Sequence, residues 1–200
     1  MRFDLQRIAP QPWKNGAGLT REIAVACNAT TEPGFDWRLS VAEVARDAPF
    51  SAFTGVDRCI VLLRGAGLLL RGGDGNDSTL EHRLDTRFKP FHFAGDAPLH
   101  ATLLGGASND FNVMVRRGAW RAEVTCHHAA ALLPAAPVLM VLACAGEWQI
   151  GESPALMLRA DQGLLWREPR APAAPLNVRP MQAGGEAGLL AVRLCHDHAP

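Results

Sequence analysis

The clearest pattern of apolar and polar positions lies in the segment FDWRLSVAEV, which covers residues 35–44. Its odd positions, Phe35 to Val41, are apolar, whereas Asp36, Arg38 and Ser40 alternate with them. Successive side chains of a strand point to opposite faces, so this alternation predicts a β-strand with its apolar face towards a core. We also predict strand–turn–strand for CIVLLRGAGLLL, a strand for FNVMVRR, and a strand followed by a loop for AEVTCHHAAALLPAAP.

Short runs of Val, Leu, Ile, Phe and Trp are separated throughout the chain by its 19 Gly and 14 Pro residues. Short apolar runs between regularly spaced turn residues are typical of an all-β sandwich or barrel. We therefore predict an all-β fold.

Three landmarks recur in the same order in both halves of the chain. VLLRGAGLLL (61–70) resembles VLACAGEWQI (141–150), FAGDAPLHATL (93–103) has an echo in LRADQGLLWRE (158–168), and GGASNDFNVMVR (105–116) has one in GGEAGLLAVR (184–193). Such self-similarity predicts two tandem modules, residues 1–118 and 119–200. The second copy lacks the polar residues Asn109, Asp110 and Asn112, so we expect the first module to carry the functional pocket.

Composition narrows the classes of function. Lys and Arg total 20, Asp and Glu total 20, and 48% of the residues are apolar. Nucleic-acid and anionic-membrane surfaces need a basic excess, so we expect neither partner. No apolar run reaches the roughly 18 residues of a membrane span, and MRFDLQRIAP contains no signal-peptide core. With five scattered cysteines, these features predict a cytoplasmic protein with reduced thiols.

Three segments of the first module resemble the HutD/Ves family of bacterial proteins. They are PWKNGAGLTREIA (12–24), FDWRLSVAEVARDAPFSAFTGVDRCIVLLRGAGLLL (35–70) and DFNVMVRR (110–117). The resemblance implies a bicupin, that is, two tandem small antiparallel β-barrels of the RmlC-like cupin or jelly-roll type. It also implies a link to histidine utilisation. Members of the HutD type are thought to bind a pathway intermediate such as formylglutamate or urocanate, and the Ves type is known mainly as stress-induced.

Metal and phosphate sites are both disfavoured by spacing. A cupin metal site needs two His separated by one residue, whereas His82, His92 and His100 of the first module form no such pair. His196–His198 has the spacing but lies at the C-terminus, where chains fray. A phosphate loop needs its Lys after the glycines, whereas Lys14 precedes them. We expect no metal and no cofactor.

A polar pocket at the mouth of the first module is the favoured site. Arg21 is in phase with Ile23 and Val25, and Glu43 with the apolar face of FDWRLSVAEV, so we expect both to point inwards. Arg holds carboxylates with two hydrogen bonds, and amides both donate and accept. The predicted ligand-binding residues are Trp13, Lys14, Asn15, Arg21, Glu43, Arg58, Asp110 and Asn112.

The same residues have structural alternatives. Arg21–Glu43 or Arg58–Asp110 would be ion pairs that close the end of the barrel, and Asn15 and Asn112 would cap turns. Trp13 would anchor the core, and we assign Trp37 and Phe50–Ser51 to the framework.

The prediction is therefore a metal-free bicupin that binds a small carboxylate metabolite and modulates histidine breakdown. We expect binding rather than catalysis. The alternative is an enzyme acting on the same metabolite, with Glu43 as general base and Lys14 or Arg21 as electrophile. A third hypothesis is a protein-interaction module with an exposed apolar patch. A homodimer is compatible with each of these.

Overall fold

The computed structural model describes residues 1–32, 34–72, 80–182 and 187–197. These residues form nineteen β-strands and a single turn of 3-10 helix, Leu5–Arg7. Across those four ranges there is no α-helix, and no helix long and apolar enough to cross a membrane.

The strands follow one another with short connections. They are β1 (Arg2–Asp4), β2 (Gln11–Pro12), β3 (Gly18–Cys27), β4 (Phe35–Val44), β5 (Ala48–Phe50), β6 (Val56–Arg64), β7 (Leu68–Gly72), β8 (Leu80–Leu84), β9 (Pro90–Ala94), β10 (Leu99–Leu103) and β11 (Ser108–Arg116). They continue as β12 (Trp120–His127), β13 (Ala131–Leu133), β14 (Val138–Ala145), β15 (Trp148–Ile150), β16 (Leu156–Leu158), β17 (Gln162–Arg167), β18 (Leu176–Pro180) and β19 (Gly188–His196).

The chain divides into two compact units. The first unit is Ala9–Trp120, and the second unit combines Met1–Ile8 with Arg121–Pro200. Residues 1–8, which the sequence analysis placed in the first module, belong to the second unit because β1 pairs with β17. The ring of Phe3 lies over Gly163, where an added Cβ would come within 2.2 Å of it. A repeat pattern does not reveal a pairing between strands so far apart in the sequence.

Each unit consists of two antiparallel sheets with a core between them. The first unit has the sheets β2-β3-β4-β11-β6-β9 and β5-β10-β7-β8, and its core cluster draws residues from both. The second unit has the sheets β1-β17-β14-β19-β12 and β13-β18-β15-β16, again with a shared core cluster. The all-β fold of two modules is confirmed, although the described sheets form sandwiches rather than closed barrels.

The strand orders show how the two units repeat. The order β4-β11-β6-β9 in the first unit corresponds to β12-β19-β14-β17 in the second, and β5-β10-β7-β8 corresponds to β13-β18-β15-β16. The first and third sequence echoes match equivalent strands. The second echo is wrong by one strand, because it aligns β9–β10 with β16–β17 rather than with β17–β18.

Strand β4 is buried on both of its faces. Trp37, Leu39 and Val41 are buried on one face, and Ser40 and Ala42 are buried on the other. An apolar face is normally sufficient to identify the core side of a strand. Here both faces are covered, so alternation alone predicts the strand but not its inward side.

Candidate functional site

A cavity of about 490 Å³ opens in the first unit, and we refer to it as the cavity. Its floor consists of inward-facing residues of the six-stranded sheet, and its walls come from the β2–β3 connection and the segment after β5. The lining residues are Gln11, Pro12, Trp13, Lys14, Asn15, Thr20, Arg38, Ser40, Ala42, Pro49, Phe50, Ser51, Phe53, Arg58, Asn112 and Met114.

The strand register determines which side chains reach the floor. Thr20 pairs with Ala42, Ser40 with Asn112, and Arg58 with Met114. Directly paired residues of antiparallel strands project from the same face, so these side chains share one surface. The floor therefore consists of even-numbered residues of β3, β4, β6 and β11. On β6 the same face continues into the core, because the core residues Ile60 and Leu62 are also even-numbered.

Arg58 is the principal charged group of the floor, with only 6% of its surface exposed. Its Nε and Nη2 donate to Oδ1 of Asn112 at 3.4 and 3.1 Å, and its Nη1 donates to the carbonyl of Ser51 at 3.4 Å. A guanidinium has five N–H groups, so one N–H on each Nη is left for a ligand. Burial lowers the pKa of Arg58 to about 10, and the group stays charged near neutral pH.

Three phenyl rings surround the Arg58 guanidinium. Its central carbon lies 5.6, 5.8 and 5.0 Å from the ring centroids of Phe50, Phe53 and Phe93. Aromatic faces attract cations, so the rings favour the charged form while keeping water away from it. Arg58 is thus held in place without a carboxylate in direct contact.

Asp110 lies behind Asn112, fully buried, with 0% of its surface exposed. Its Oδ1 accepts a hydrogen bond from Nδ2 of Asn112 at 3.3 Å, and its Oδ2 has no hydrogen-bond partner. Burial raises the pKa of Asp110 to about 7, against the opposing effects of the Asn112 bond and the Arg58 charge. Asn112 therefore bridges the cation and the carboxyl group.

Two further cations belong to the cavity, and only one has a close anionic partner. Nε of Arg38 lies 2.8 Å from Oε2 of Glu22 on β3, and this ion pair neutralises its charge. Lys14 stands exposed at the rim and forms no ion pair with any residue in the described ranges. The cavity therefore has an excess of positive charge.

The connection from Trp13 to Gly18 shapes the rim. The backbone N–H of Trp13 donates to the carbonyl of Gly18 at 2.9 Å, and its indole N–H donates to Oγ1 of Thr20 at 2.8 Å. Asn15 Oδ1 accepts from the backbone N–H of Ala17 at 3.0 Å. Asn15 therefore caps the turn, as the structural alternative predicted, while it also lines the cavity.

The structure brings five of the eight predicted residues to the cavity. Trp13, Lys14, Asn15, Arg58 and Asn112 line it directly. Asp110 reaches it only through its hydrogen bond to Asn112. Neither of the two alternative ion pairs, Arg21–Glu43 and Arg58–Asp110, forms within the part of the chain that the structure describes.

Arg21 and Glu43 do not line the cavity, and the expectation that both point inwards is wrong. Arg21 pairs with Val41, and Glu43 is adjacent to Ala42 on an uninterrupted stretch of β4. Both side chains therefore project from the face opposite the cavity floor. Nε of Arg21 is buried there without a hydrogen-bond partner.

Several lining residues were not predicted from the sequence. Arg38 and Ser40 belong to the polar face of FDWRLSVAEV and were not among the predicted ligand-binding residues, and Phe50–Ser51 was assigned to the framework. The sequence did carry a signal for Arg38 and Ser40, because polar residues recur at every second position on that face. When both faces of a strand are covered, such a polar face is buried as well and can line a cavity. Thr20, Phe53 and Met114 carried no comparable signal.

A second cavity of about 570 Å³ lies in the second unit. Arg179 donates to Gln149 at 2.9 Å, and Asn177 donates to Glu152 at 2.8 Å, so its polar groups are paired with one another. It contains no buried charge comparable to Arg58.

In the described ranges, no group of three or more His, Cys, Asp or Glu side chains is placed to hold a metal ion. The His196–His198 triplet ends outside the described residues, at His198.

Two antiparallel β-sandwiches that follow one another along the chain define a cupin-type fold with two modules. Solved structures with little sequence identity share this fold. They include an oxalate decarboxylase of Lactobacillus farciminis, with a TM-score of 0.63 at 7% identity over 97% of this chain and 85% of that one. The YlbA protein of Escherichia coli has a TM-score of 0.67 at 5% identity, and the match covers 100% of this chain and 92% of that one.

The chain belongs to the HutD family, whose family model matches residues 5–183. The Ves proteins of Citrobacter koseri and Cronobacter sakazakii are 38% and 36% identical over 83% of this chain and 82% and 86% of their own lengths. HutD from Pseudomonas fluorescens SBW25, solved in a formate condition, has a TM-score of 0.81 at 27% identity over 98% of both chains. The structure of a conserved protein of unknown function from Pseudomonas aeruginosa PAO1 has a TM-score of 0.82 at 30% sequence identity, and the match covers 98% of both chains. The resemblance to the HutD/Ves family is confirmed.

Proposed function

We propose that the cavity binds a small carboxylate metabolite of histidine degradation, of the formylglutamate or urocanate type, and that binding modulates histidine utilisation. The observation that carries this proposal is Arg58, a buried cation with one free N–H on each Nη at an open cavity. Two adjacent N–H groups match the two oxygens of a carboxylate.

Charge compensation favours an anionic ligand. A buried charge without a direct partner is costly, and the rings around Arg58 offset only part of that cost. A carboxylate at the free N–H groups would complete the pairing of Arg58, and Lys14 at the rim would attract a second one. The volume of about 490 Å³ lies within the usual range for small-molecule sites.

Family membership supports the histidine-related ligand class. The HutD relative from Pseudomonas fluorescens was solved in a formate condition, and formate is the smallest carboxylate.

Calorimetry and thermal unfolding with formylglutamate, urocanate and glutamate test the proposal. A ligand at a hundredfold excess over its Kd should stabilise the native state by about 2.7 kcal/mol. If none of the three compounds shifts the Tm, the proposed ligand class is wrong.

Arg58 variants test the site itself. Replacing Arg58 with Ala removes the hydrogen-bonding fork, and we expect the affinity for formylglutamate to fall by about 30-fold or more, equivalent to about 2 kcal/mol. Arg58→Lys keeps the charge but loses the paired geometry, so an intermediate loss is expected. Isothermal titration gives both values, and unfolding curves establish that each variant is folded.

Glu43→Gln is the matched control. Glu43 lies on the opposite face of β4, so its neutralisation should leave the Kd within about twofold of the wild-type value. The same variant tests the enzymatic alternative, in which Glu43 is the general base. Turnover of formylglutamate or urocanate by the wild type that disappears in Glu43→Gln would favour an enzyme. Loss of binding in Glu43→Gln would contradict the proposed location.

A further inference from the structure

We propose that Asp110 is a positioning residue, and that an anion binding at Arg58 is accompanied by uptake of one proton from solvent onto the Asp110 carboxyl group. This inference rests on the proposed function, since it concerns the same anion at the same cavity. It adds that the site binds its ligand together with a proton.

The geometry places Asp110 one residue behind the ligand position. Nδ2 of Asn112 donates to Asp110, which turns the amide oxygen of Asn112 towards Arg58. That oxygen accepts from both Nε and Nη2, so Asn112 orients the guanidinium, whose remaining N–H groups belong to Nη1 and Nη2. Asp110 therefore acts on the ligand through Asn112, without lining the cavity itself.

The unpartnered oxygen of Asp110 is the site for the proton. Oδ2 is buried without a hydrogen bond, whereas Oδ1 is occupied by Asn112. An ionised carboxylate needs compensation in a buried environment, and Arg58 is its nearby counter-charge. When a ligand carboxylate takes up the Arg58 charge, the two anions repel each other, and this repulsion favours the protonated form of Asp110.

Among the described residues, the groups that act on the Asp110 carboxyl group besides burial are Asn112 and Arg58. β6 contributes Arg58, β4 contributes Arg38 and β3 contributes Glu22, and the last two form an ion pair. The facing four-stranded sheet contributes the apolar core residues Phe50, Leu68, Leu70, Leu84, Leu99 and Ala101. It also carries His82, which stacks on Phe91 and whose pKa is lowered, mainly by burial. Burial already raises the pKa of Asp110 to about 7, and a large further rise on anion binding would keep the carboxyl group protonated throughout the neutral range.

The test measures proton uptake by calorimetry in two buffers of different ionisation enthalpy. Formate and formylglutamate are the probes, because their carboxyl groups are ionised and no other group titrates between about pH 6 and pH 9. We expect uptake of nearly one proton per anion at about pH 8 and almost none below about pH 6. Above about pH 7, the affinity should weaken by up to tenfold per pH unit.

Asp110→Asn should remove both the uptake and the pH dependence, while circular dichroism reports whether it folds. If that variant does not fold, His82→Gln tests the titratable group of the facing sheet: uptake near one in His82→Gln supports Asp110, and its loss overturns the proposal. Binding without uptake in the wild type refutes the proton coupling and leaves the proposed function intact. Absence of binding by both probes at every pH refutes the anion site itself.

Discussion

At the scale of single residues, the first unit concentrates unusual electrostatics in three side chains. Arg58, Asn112 and Asp110 form a buried chain that runs from a cation to a carboxyl group. Neither ionisable end has a direct ion-pair partner in the described ranges. A site that leaves a buried cation and a buried carboxyl group incompletely paired is typical of a place where a ligand completes the arrangement.

The Asp110 carboxyl group should make the folded protein less stable as the pH rises. Its pKa is raised by burial from 3.8 to about 7, so between these values the native state binds more protons than the unfolded state. The free energy of unfolding therefore falls with increasing pH across that window. Asp110→Asn should flatten the dependence, so that the variant gains on the order of 2–4 kcal/mol relative to the wild type between about pH 4 and pH 8.

Urea unfolding at a series of pH values measures this dependence. Glu22→Gln is a suitable control, because Glu22 is partly exposed and its loss should leave the slope between about pH 4 and pH 7 in place. A wild-type protein that gains stability steadily over the same window would contradict the assignment.

At the scale of elements, the β2–β3 connection positions Lys14 and Asn15 at the rim. Gly18 permits it, because a Cβ at this position would lie 2.3 Å from the carbonyl oxygen of Glu43 on β4. The backbone of β3 would have to move away from β4 to accommodate a larger residue. The close approach of two strands therefore sets the height of the rim above the cavity floor.

Gly18→Ala should destabilise the protein by about 1–3 kcal/mol and weaken anion binding, because the displaced strand carries the rim with it. Gly105→Ala is a matched control. Its nearest neighbour would be Cβ of Ala66 at 3.2 Å, a methyl group that can shift slightly. Unfolding curves and titration calorimetry compare the two variants, and an equal loss of stability in both would contradict this explanation.

At the scale of the whole molecule, two units with the same strand order differ in what they bury. All the buried polar and charged residues in the described ranges belong to the first unit: Ser40, Arg58, Ser108, Asp110 and Asn112. The core clusters of both units are apolar. Among the described residues, the two units of the duplicated fold therefore differ in their buried polar and charged side chains.

Hydrogen exchange should show this division directly. Adding formylglutamate should slow amide exchange in β4, β6, β11 and the Trp13–Gly18 turn, and leave β14 and β19 unchanged, because the buried cation found among the described residues lies in the first unit. The response should disappear in Arg58→Ala. Protection centred on the second cavity, around Gln149 and Arg179, would instead place the ligand in the second unit.

The sequence by itself determined the strands, the duplicated fold, the family and part of the site. Alternation and turn residues are local properties of the sequence, so β4, β6, β7 and β11 were predictable from it. The turn between Trp13 and Gly18, which Asn15 caps, was predictable for the same reason. Arg58 and Asn112 were recognisable as candidates because charged or amide groups at the ends of apolar strands need partners.

Only the tertiary structure decided which face of each strand meets the cavity. β4 is covered on both sides, so its apolar face did not mark the interior, and Arg21 and Glu43 fall on the opposite face from Arg38 and Ser40. The pairing of β1 with β17 likewise joins residues about 160 positions apart. Register and long-range pairing depend on several strands at once, which is why no single segment of sequence contains them.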